Sequence, residues 1–127
     1  MNMRTYKSYW QGSSWVVSMP SQIAQICGLD EGSNIQLEIH ENEIVVTPPK
    51  NGEVKYKRPK KVGEKEYIVP LRVIGAEGVT GKKKYLYRQL GFTIPKEFSD
   101  RFANKEFEIN LQEKKEDFFK IVYIIKN

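Results

Sequence analysis

The sequence predicts a mainly β protein with two short helices, built from two halves that share one order of elements. Apolar residues alternate with polar ones at Ile35, Leu37 and Ile39, which is typical of a half-buried strand. The β-branched and aromatic run Trp15–Met19 ends at Pro20, a residue that stops a strand and opens a helix. A similar run and proline return 75 residues later, and a similar alternation returns 72 residues later.

The first half, residues 1–49, begins with a strand expected over 3–10 and a turn at Gly12–Ser14. A helix is expected over Ser21–Cys27, because its apolar residues recur at helical spacing. A hairpin is expected over Ile35–Val46, since two alternating apolar runs flank a short polar turn. Each element is bounded by the glycine, proline or serine residues that turns require.

The second half, residues 66–127, repeats this order with changes. Leu90–Pro95 matches the strand and proline of the first half, Phe98 and Phe102 occupy the apolar helix positions, and Phe107–Leu111 repeats the alternation. The second half lacks the glycines that end the helix and form the next turn in the first half. Internal similarity at a nearly fixed offset indicates a duplication.

A strand with an unusual proline opens the second half. It is expected over 66–75, where Pro70 indicates an edge or a bulge. The glycine-rich stretch 75–81 is expected to be a turn that leads into Lys82–Lys84. It does not match a phosphate-binding loop, because the glycine spacing differs, Lys83 stands where a hydroxyl is required, and a strand follows. A hairpin loop with a lysine cluster is the better interpretation.

The ordered motifs of residues 12–46 resemble the SpoVT/AbrB-like domain, the swapped-hairpin fold of AbrB-type transcription factors and MazE-type antitoxins. The motifs are a Gly-x-Ser turn at Gly12–Ser14, a Val-x-Met-Pro strand end at Val17–Pro20, the helix end Gly28-Leu29, a turn at Gly32 and the hairpin Ile35–Val46. The resemblance implies a swapped-hairpin β-barrel made from two βαββ-type halves, and it implies DNA binding. Many relatives carry an arginine in the strand where this chain has Trp15–Ser18.

The duplication leaves two ways to build such a barrel. In the resembled family two identical chains interleave their hairpins, whereas this chain carries both halves. Internal closure would remove the exposed strand edges that a lone half leaves open. The alternative is a homodimer in which each half pairs with its copy in another chain. The aliphatic first helix and the phenylalanine-rich second helix favour pairing within one chain.

Positive charge is concentrated in the middle of the sequence. The formal net charge is +5. Residues 1–50 carry three basic and five acidic side chains, residues 51–90 carry eleven and four, and residues 91–127 carry seven of each. A local excess of this kind attracts polyanions. We expect residues 50–65 to be a basic linker, which either only connects the halves or orders on nucleic-acid phosphates.

The residues that we expect to contact DNA share a positive charge or a hydroxyl beside a turn. Hydroxyls and backbone N–H groups of a turn suit phosphate contacts, although glycine and serine are also ordinary turn residues. The charged positions equally fit a solvated strand edge. The expected set is Arg4, Lys7, Ser13, Ser14, Lys55, Lys57, Arg58, Lys60, Lys61, Arg72, Lys82, Lys83, Lys84 and Arg88.

The sequence offers little for catalysis, metal binding or membrane insertion. His40 is the single histidine and lies at a hairpin bend, and the single cysteine, Cys27, fits an apolar helix face. We therefore expect no zinc site, no cofactor, no internal disulfide and no enzymatic activity. With no apolar run that would span a bilayer and no apolar signal core, we expect a cytoplasmic protein.

Two functions remain open from the sequence. The first is a transcriptional regulator that contacts double-stranded DNA through basic loops and strand edges. The second is a protein-interaction module such as a MazE-like antitoxin that binds a toxin partner. MazE-type antitoxins carry an acidic flexible tail, whereas residues 124–127 are expected to belong to a strand. The expected strand in place of an acidic tail therefore favours DNA binding over the antitoxin alternative.

Overall fold

The computed structural model describes residues 5–50, 56–74, 77–80, 83–86 and 89–126, with the backbone alone at 5, 77–80 and 83–86. The described chain is mainly β with two short helices, which confirms that part of the expected fold class. The strands are β1 Thr5–Lys7, β2 Tyr9–Gln11, β3 Ser14–Ser18, β4 Asn34–Ile39, β5 Glu43–Thr47, β6 Lys60–Lys61, β7 Glu66–Pro70, β8 Arg72–Val73, β9 Glu77–Thr80, β10 Lys83–Leu86, β11 Leu90–Thr93, β12 Glu106–Lys114 and β13 Phe119–Ile125. The helices are α1 Ser21–Ile26 and α2 Ser99–Phe102, and a 3-10 turn, Lys96–Phe98, precedes α2.

The strands form two antiparallel sheets and a separate hairpin. The larger sheet has seven strands in the order β1-β12-β13-β5-β4-β7-β6, and the smaller has the order β2-β3-β11-β8. Strands β9 and β10 pair only with each other among the described residues. The described sheets are open, so the expectation of a closed barrel is wrong. The end strands of the seven-stranded sheet are not paired with each other, and the chain instead bends from one sheet into the other.

The chain passes between the sheets at two corresponding points. Ser8 separates β1 from β2, and Leu71 separates β7 from β8. The Ser8 N–H donates to the carbonyl of Lys105 at 3.0 Å, and the Leu71 N–H donates to the carbonyl of Ser33 at 2.8 Å. The single strands expected over 3–10 and 66–75 are therefore each divided in two. Both dividing residues are buried, at 1% exposure.

The order of strand, proline, helix and hairpin occurs twice, and the two copies pair through matching residues. Val17 of β3 lies opposite Phe92 of β11, 75 residues later in the chain. The Met19 N–H donates to Leu90 O at 2.8 Å, and in the corresponding bond the Ile94 N–H donates to Trp15 O at 2.9 Å. When matching residues face each other across an antiparallel pair, a two-fold axis passes through that pair.

The two hairpins obey the same symmetry. Strand β5 pairs with β13, and Val45 lies opposite Val122. Each hairpin also receives the first strand of the other half, since β1 pairs with β12 and β7 pairs with β4. The halves are thus interleaved, and one hydrophobic core contains residues from both.

The core lies between the two sheets and is closed at its sides by the helices. Aromatic residues of the second half fill its centre, where the rings of Phe92 and Tyr123 are edge to face at 5.3 Å. The Tyr123 hydroxyl donates to Ser18 O at 2.7 Å, which satisfies a buried polar group. Burial raises the pKa of Tyr123 well above that of a free tyrosine.

Two features of the second half differ from the sequence expectation. The turn that lacks a glycine is still present, because Asn104 adopts a φ of 62° where Gly32 has 87° in the first half. Asparagine tolerates this left-handed region better than most residues. The glycine-rich stretch 75–81 is not simply a turn, since residues 77–80 form β9 and pair with β10.

Candidate nucleic-acid interface

The four-stranded sheet carries almost no charge. Its strands β2, β3, β8 and β11 contain no aspartate or glutamate, and Arg72 is their one charged residue. In contrast, the strands of the seven-stranded sheet are charged with both signs. They contain six glutamates and five lysines, namely Glu38, Glu43, Glu66, Glu106, Glu108, Glu113, Lys7, Lys60, Lys61, Lys114 and Lys120. A polyanion would meet no strand carboxylates at the four-stranded sheet.

The outer face of this sheet is partly covered. Residues 15, 17 and 19 of the first half belong to the core or pack against it, so Val16 faces away, yet Val16 is fully buried. Ile74 packs against Gly91 on this side and is 3% exposed. The Tyr9 hydroxyl donates to Ile74 O at 2.8 Å, and burial raises the pKa of Tyr9, an effect that Arg72 opposes. The accessible parts of this side are consequently its edges and turns.

The two turns that join the edge strands to the central strands occupy matching positions and differ in size. In the first half, β2 and β3 are joined by a tight turn in which Gly12 has a φ of 67° and Ser13 is exposed. In the second half, the corresponding connection between β8 and β11 carries the hairpin β9–β10. Lys83 and Lys84 lie in β10, opposite Thr80 and Val79. The lysine cluster thus extends from the symmetry mate of the Gly12 turn.

The described part of the basic linker is held to the seven-stranded sheet. The Asn34 side chain donates to Tyr56 O at 3.1 Å and accepts from Tyr56 N at 2.9 Å. The Lys60 ammonium lies 5.3 Å from the centre of the Tyr56 ring, and β6 pairs with β7. Lys57 and Arg72 line one groove of about 720 Å³ beside Asn34. The structure therefore brings two of the expected DNA contacts together.

Lys61 has an acidic partner within the protein. Its ammonium lies 3.1 Å from the Glu97 carboxylate, which also accepts a hydrogen bond from the Tyr67 hydroxyl. The hydrogen bond from Tyr67, and then the one from Lys61, lower the pKa of Glu97. Burial, together with the bond to Glu97, raises the pKa of Tyr67 to about 12. The charge of Lys61 is balanced locally, so Lys61 adds less to a DNA surface than expected.

The remaining expected contacts are dispersed. Lys7 is exposed but lies directly opposite Glu106 on the neighbouring strand, and Arg58 is exposed in the linker. Ser14 is half-buried, and the Arg72 guanidinium lies 3.4 Å from the Thr93 hydroxyl. Four expected contacts lie outside the described residues, namely Arg4, Lys55, Lys82 and Arg88.

Sequence reasoning missed a tryptophan-lined cavity beside the Gly12 turn. Trp10 and Trp15 face each other across the β2–β3 pair, and their rings are edge to face at 5.8 Å. Trp10 is 57% exposed, although tryptophan usually has little contact with solvent. Both rings line a cavity of about 530 Å³ with Ser13, Lys96 and Asp100. The register of a tight hairpin around Gly12 is the signal that pairs the two tryptophans.

The single histidine and the single cysteine are both described. His40 Nε2 lies 2.9 Å from a Glu38 carboxylate oxygen at the surface, and burial raises the pKa of the Cys27 thiol. Within the described ranges, no group of three or more His, Cys, Asp or Glu side chains is arranged to hold a metal ion. No described helix is long and apolar enough to span a bilayer.

Comparison of the chain with family models, with curated proteins and with solved structures finds no match. The likeness to the SpoVT/AbrB-like domain therefore rests on the motifs of residues 12–46 and stays a prediction.

Proposed function

We propose that this protein is a DNA-binding transcriptional regulator of the AbrB-like type, in which one chain supplies both halves of a swapped-hairpin unit. The observation that carries the proposal is the two-fold arrangement of an acid-free four-stranded sheet, centred on the Val17–Phe92 pair. The interleaving of the halves supports the swapped-hairpin assignment, because each half gives its first strand to the hairpin of the other.

The symmetry suits a duplex. Double-stranded DNA has local two-fold axes, and DNA-binding dimers match them with their own. The two turns that flank the sheet follow corresponding strands, so the internal axis relates the points at which the chain leaves the sheet. One turn offers Ser13 and the backbone beside Gly12, and the other carries the hairpin with Lys83 and Lys84. Hydroxyls, backbone N–H groups and lysines are typical phosphate contacts.

The distribution of charge sets the orientation on the duplex. The four-stranded sheet has no strand carboxylates that would repel phosphates, whereas the seven-stranded sheet has six glutamates beside its five lysines, so the duplex approaches the four-stranded sheet. Lys57 and Arg72 line the groove at the edge of this surface and would extend the contact along one strand. Because these contacts are to the backbone, binding depends strongly on salt and weakly on sequence.

The test is to change Lys82, Lys83 and Lys84 together to alanine and to measure duplex affinity at several salt concentrations. Each lost phosphate contact lowers the salt slope by about one, so the slope falls by up to about three. Affinity falls by a similar factor for unrelated duplexes, because phosphate contacts carry no sequence information.

A matched control removes the same charge elsewhere. Lys114, Lys115 and Lys126 are exposed residues at the ends of the β12–β13 hairpin, and their joint change to alanine alters the net charge equally. The control variant keeps a salt slope close to that of the unmodified protein. Equal slopes in the two variants would show that only the total charge matters and would contradict the proposed surface.

A further inference from the structure

The cavity beside the Gly12 turn combines aromatic rings with a hydroxyl and two opposite charges. Trp10, which is largely exposed, and Trp15 both line it, and their rings pack edge to face. Ser13 supplies a hydroxyl at one rim, and Lys96 and Asp100 supply opposite charges from the start of the second helix. A ligand that fits has a flat ring, an anionic group and a hydrogen-bond donor.

The carboxylates of this region have different roles. Glu97 accepts hydrogen bonds from Tyr67 and Lys61 and is held in place by them. Asp100 is exposed at the cavity and faces solvent. Asp100 is therefore the carboxylate with which a ligand would make a hydrogen bond, while Glu97 shapes the wall.

The internal symmetry shows that the tryptophan lining is specific to one half. The matching cavity beside α1 has a volume of about 290 Å³ and is lined by Ser21, Ala24, Gln25, Leu29, Asp30 and Leu90. Val73 pairs with Leu90 there as Trp10 pairs with Trp15 here. The three matched pairs are Trp10 with Val73, Trp15 with Leu90 and Asp100 with Gln25. The shared fold does not require the tryptophans, since the matching cavity lacks them.

We propose that the tryptophan cavity binds a single unstacked nucleobase that carries an exocyclic amine, with its phosphate toward Ser13 and Lys96. The inference rests on the proposed nucleic-acid binding and adds a ligand class to it. Bases stack on exposed aromatic rings whatever their sequence. A carboxylate accepts from the amine of cytosine or adenine, and thymine has no amine to donate to Asp100.

Tryptophan fluorescence can be used to measure binding at this site. The protein's two tryptophans both line the cavity, so all tryptophan fluorescence reports on ligand entry there. Titration with short single strands of deoxycytidine quenches this fluorescence, and deoxythymidine strands of equal length quench it more weakly. Titration with deoxycytidine monophosphate separates two sources of the base: saturation by the mononucleotide identifies a free nucleotide, and quenching by the strand alone identifies a single strand.

Four variants at three positions locate the contacts. Trp10→Ala weakens binding of a labelled deoxycytidine strand by about 5- to 150-fold, which is the range for losing one stacked base. Trp10→Phe restores part of the affinity. Asp100→Asn removes the preference for deoxycytidine over deoxythymidine, and Gln25→Ala, at the matching position near α1, changes neither affinity nor preference.

The outcome is separable from that of the duplex experiment. Trp10 is not among the proposed duplex contacts, so the Trp10→Ala variant binds duplex DNA as tightly as the unmodified protein. Its circular dichroism spectrum shows that the variant is folded. The inference is wrong if single strands leave the fluorescence unchanged, or if Trp10→Ala binds them as tightly as the unmodified protein does. Equal affinity for the two homopolymers would overturn the role of Asp100 even where stacking is present.

Discussion

Gly91 is the position where a single added methyl group tests the pairing of the two halves. It lies in β11 between Ser18 of β3 and Arg72 of β8. A Cβ atom at Gly91 would lie 2.1 Å from Ile74 Cδ1 and 2.6 Å from the Val17 carbonyl oxygen. The end of the Ile74 side chain is free to rotate, but the Val17 oxygen belongs to the backbone of the paired strand.

The expected cost of Gly91→Ala follows from these two contacts. Overpacking of a buried site costs about 1–3 kcal/mol. Replacing glycine also restricts the unfolded chain, which offsets about 0.4–1 kcal/mol. Because one of the clashes is with backbone, we expect a net loss of about 1–2 kcal/mol in the free energy of unfolding. With a typical denaturant dependence, the urea midpoint falls by roughly 0.5–1 M.

A double-mutant cycle with Ile74 separates steric overlap from other causes. Ile74 is 3% exposed, so Ile74→Ala alone costs about 2–5 kcal/mol through lost packing. In the double variant the new methyl occupies part of the vacated space. The combined cost is then lower than the sum of the single costs by about 1 kcal/mol or more. Urea unfolding followed by circular dichroism measures all three variants.

The result would refute the reasoning if Gly91→Ala were as stable as the unmodified protein, or if the two costs added to within about 0.5 kcal/mol.

The substitution at Gly91 is also expected to affect function. Ile74 donates its N–H to Gln89 O at 2.8 Å at the base of the β9–β10 hairpin. Displacing Ile74 therefore disturbs the support of the lysine hairpin, and duplex affinity falls together with stability.

Two further predictions concern buried polar groups. Ser8→Ala lowers the free energy of unfolding by about 1–3 kcal/mol, because Ser8 Oγ donates to Phe102 O at 2.7 Å and accepts from Lys105 N. The control, Ser13→Ala at the exposed turn, changes it by less than about 0.5 kcal/mol. Similar urea midpoints for the two variants would contradict this. The pKa of Tyr67 is about 12 in the folded protein and 10.0 in the unfolded reference. The stabilisation that comes from the neutral Tyr67 side chain is therefore fully present below pH 10 and is lost as the pH rises toward 12. Tyr67→Phe makes that alkaline loss smaller in urea titrations, and an unchanged loss would show that Tyr67 does not cause it.

Local patterns were sufficient for the elements themselves. The alternation at Ile35–Ile39 predicts β4, which the structure has at Asn34–Ile39, and Pro20 and Pro95 each precede a helical segment. These features depend on residues near one another in sequence, where periodicity and proline geometry are decisive. The division of the strands at Ser8 and Leu71 depends instead on partners that are distant in the chain. Pro70 marks the interruption beside Leu71, whereas no local pattern marks the one at Ser8.

The amino-acid composition predicts that the middle of the chain is basic, but it does not predict which of the basic side chains are accessible. The neutralisation of Lys61 by Glu97 requires residues 36 positions apart to meet. The turn at Asn104 was missed because the sequence criterion was glycine, whereas the backbone requirement is a positive φ that asparagine also meets. The tryptophan cavity does not follow from assigning Trp10 and Trp15 to strands, because it depends on the strand register that places them opposite each other.

The departures from two-fold symmetry indicate where the chain has specialised. A duplicated fold needs matching residues wherever strands pair, and it keeps them at Val17–Phe92 and Val45–Val122. The halves differ most at the turns beside the four-stranded sheet, where one has the β9–β10 hairpin and the other the tryptophan pair. The hairpin pairs only with itself among the described strands, and Trp10 is largely exposed. Both features lie beside the acid-free sheet, so the duplex titration tests the hairpin and the single-strand titration tests the tryptophan cavity.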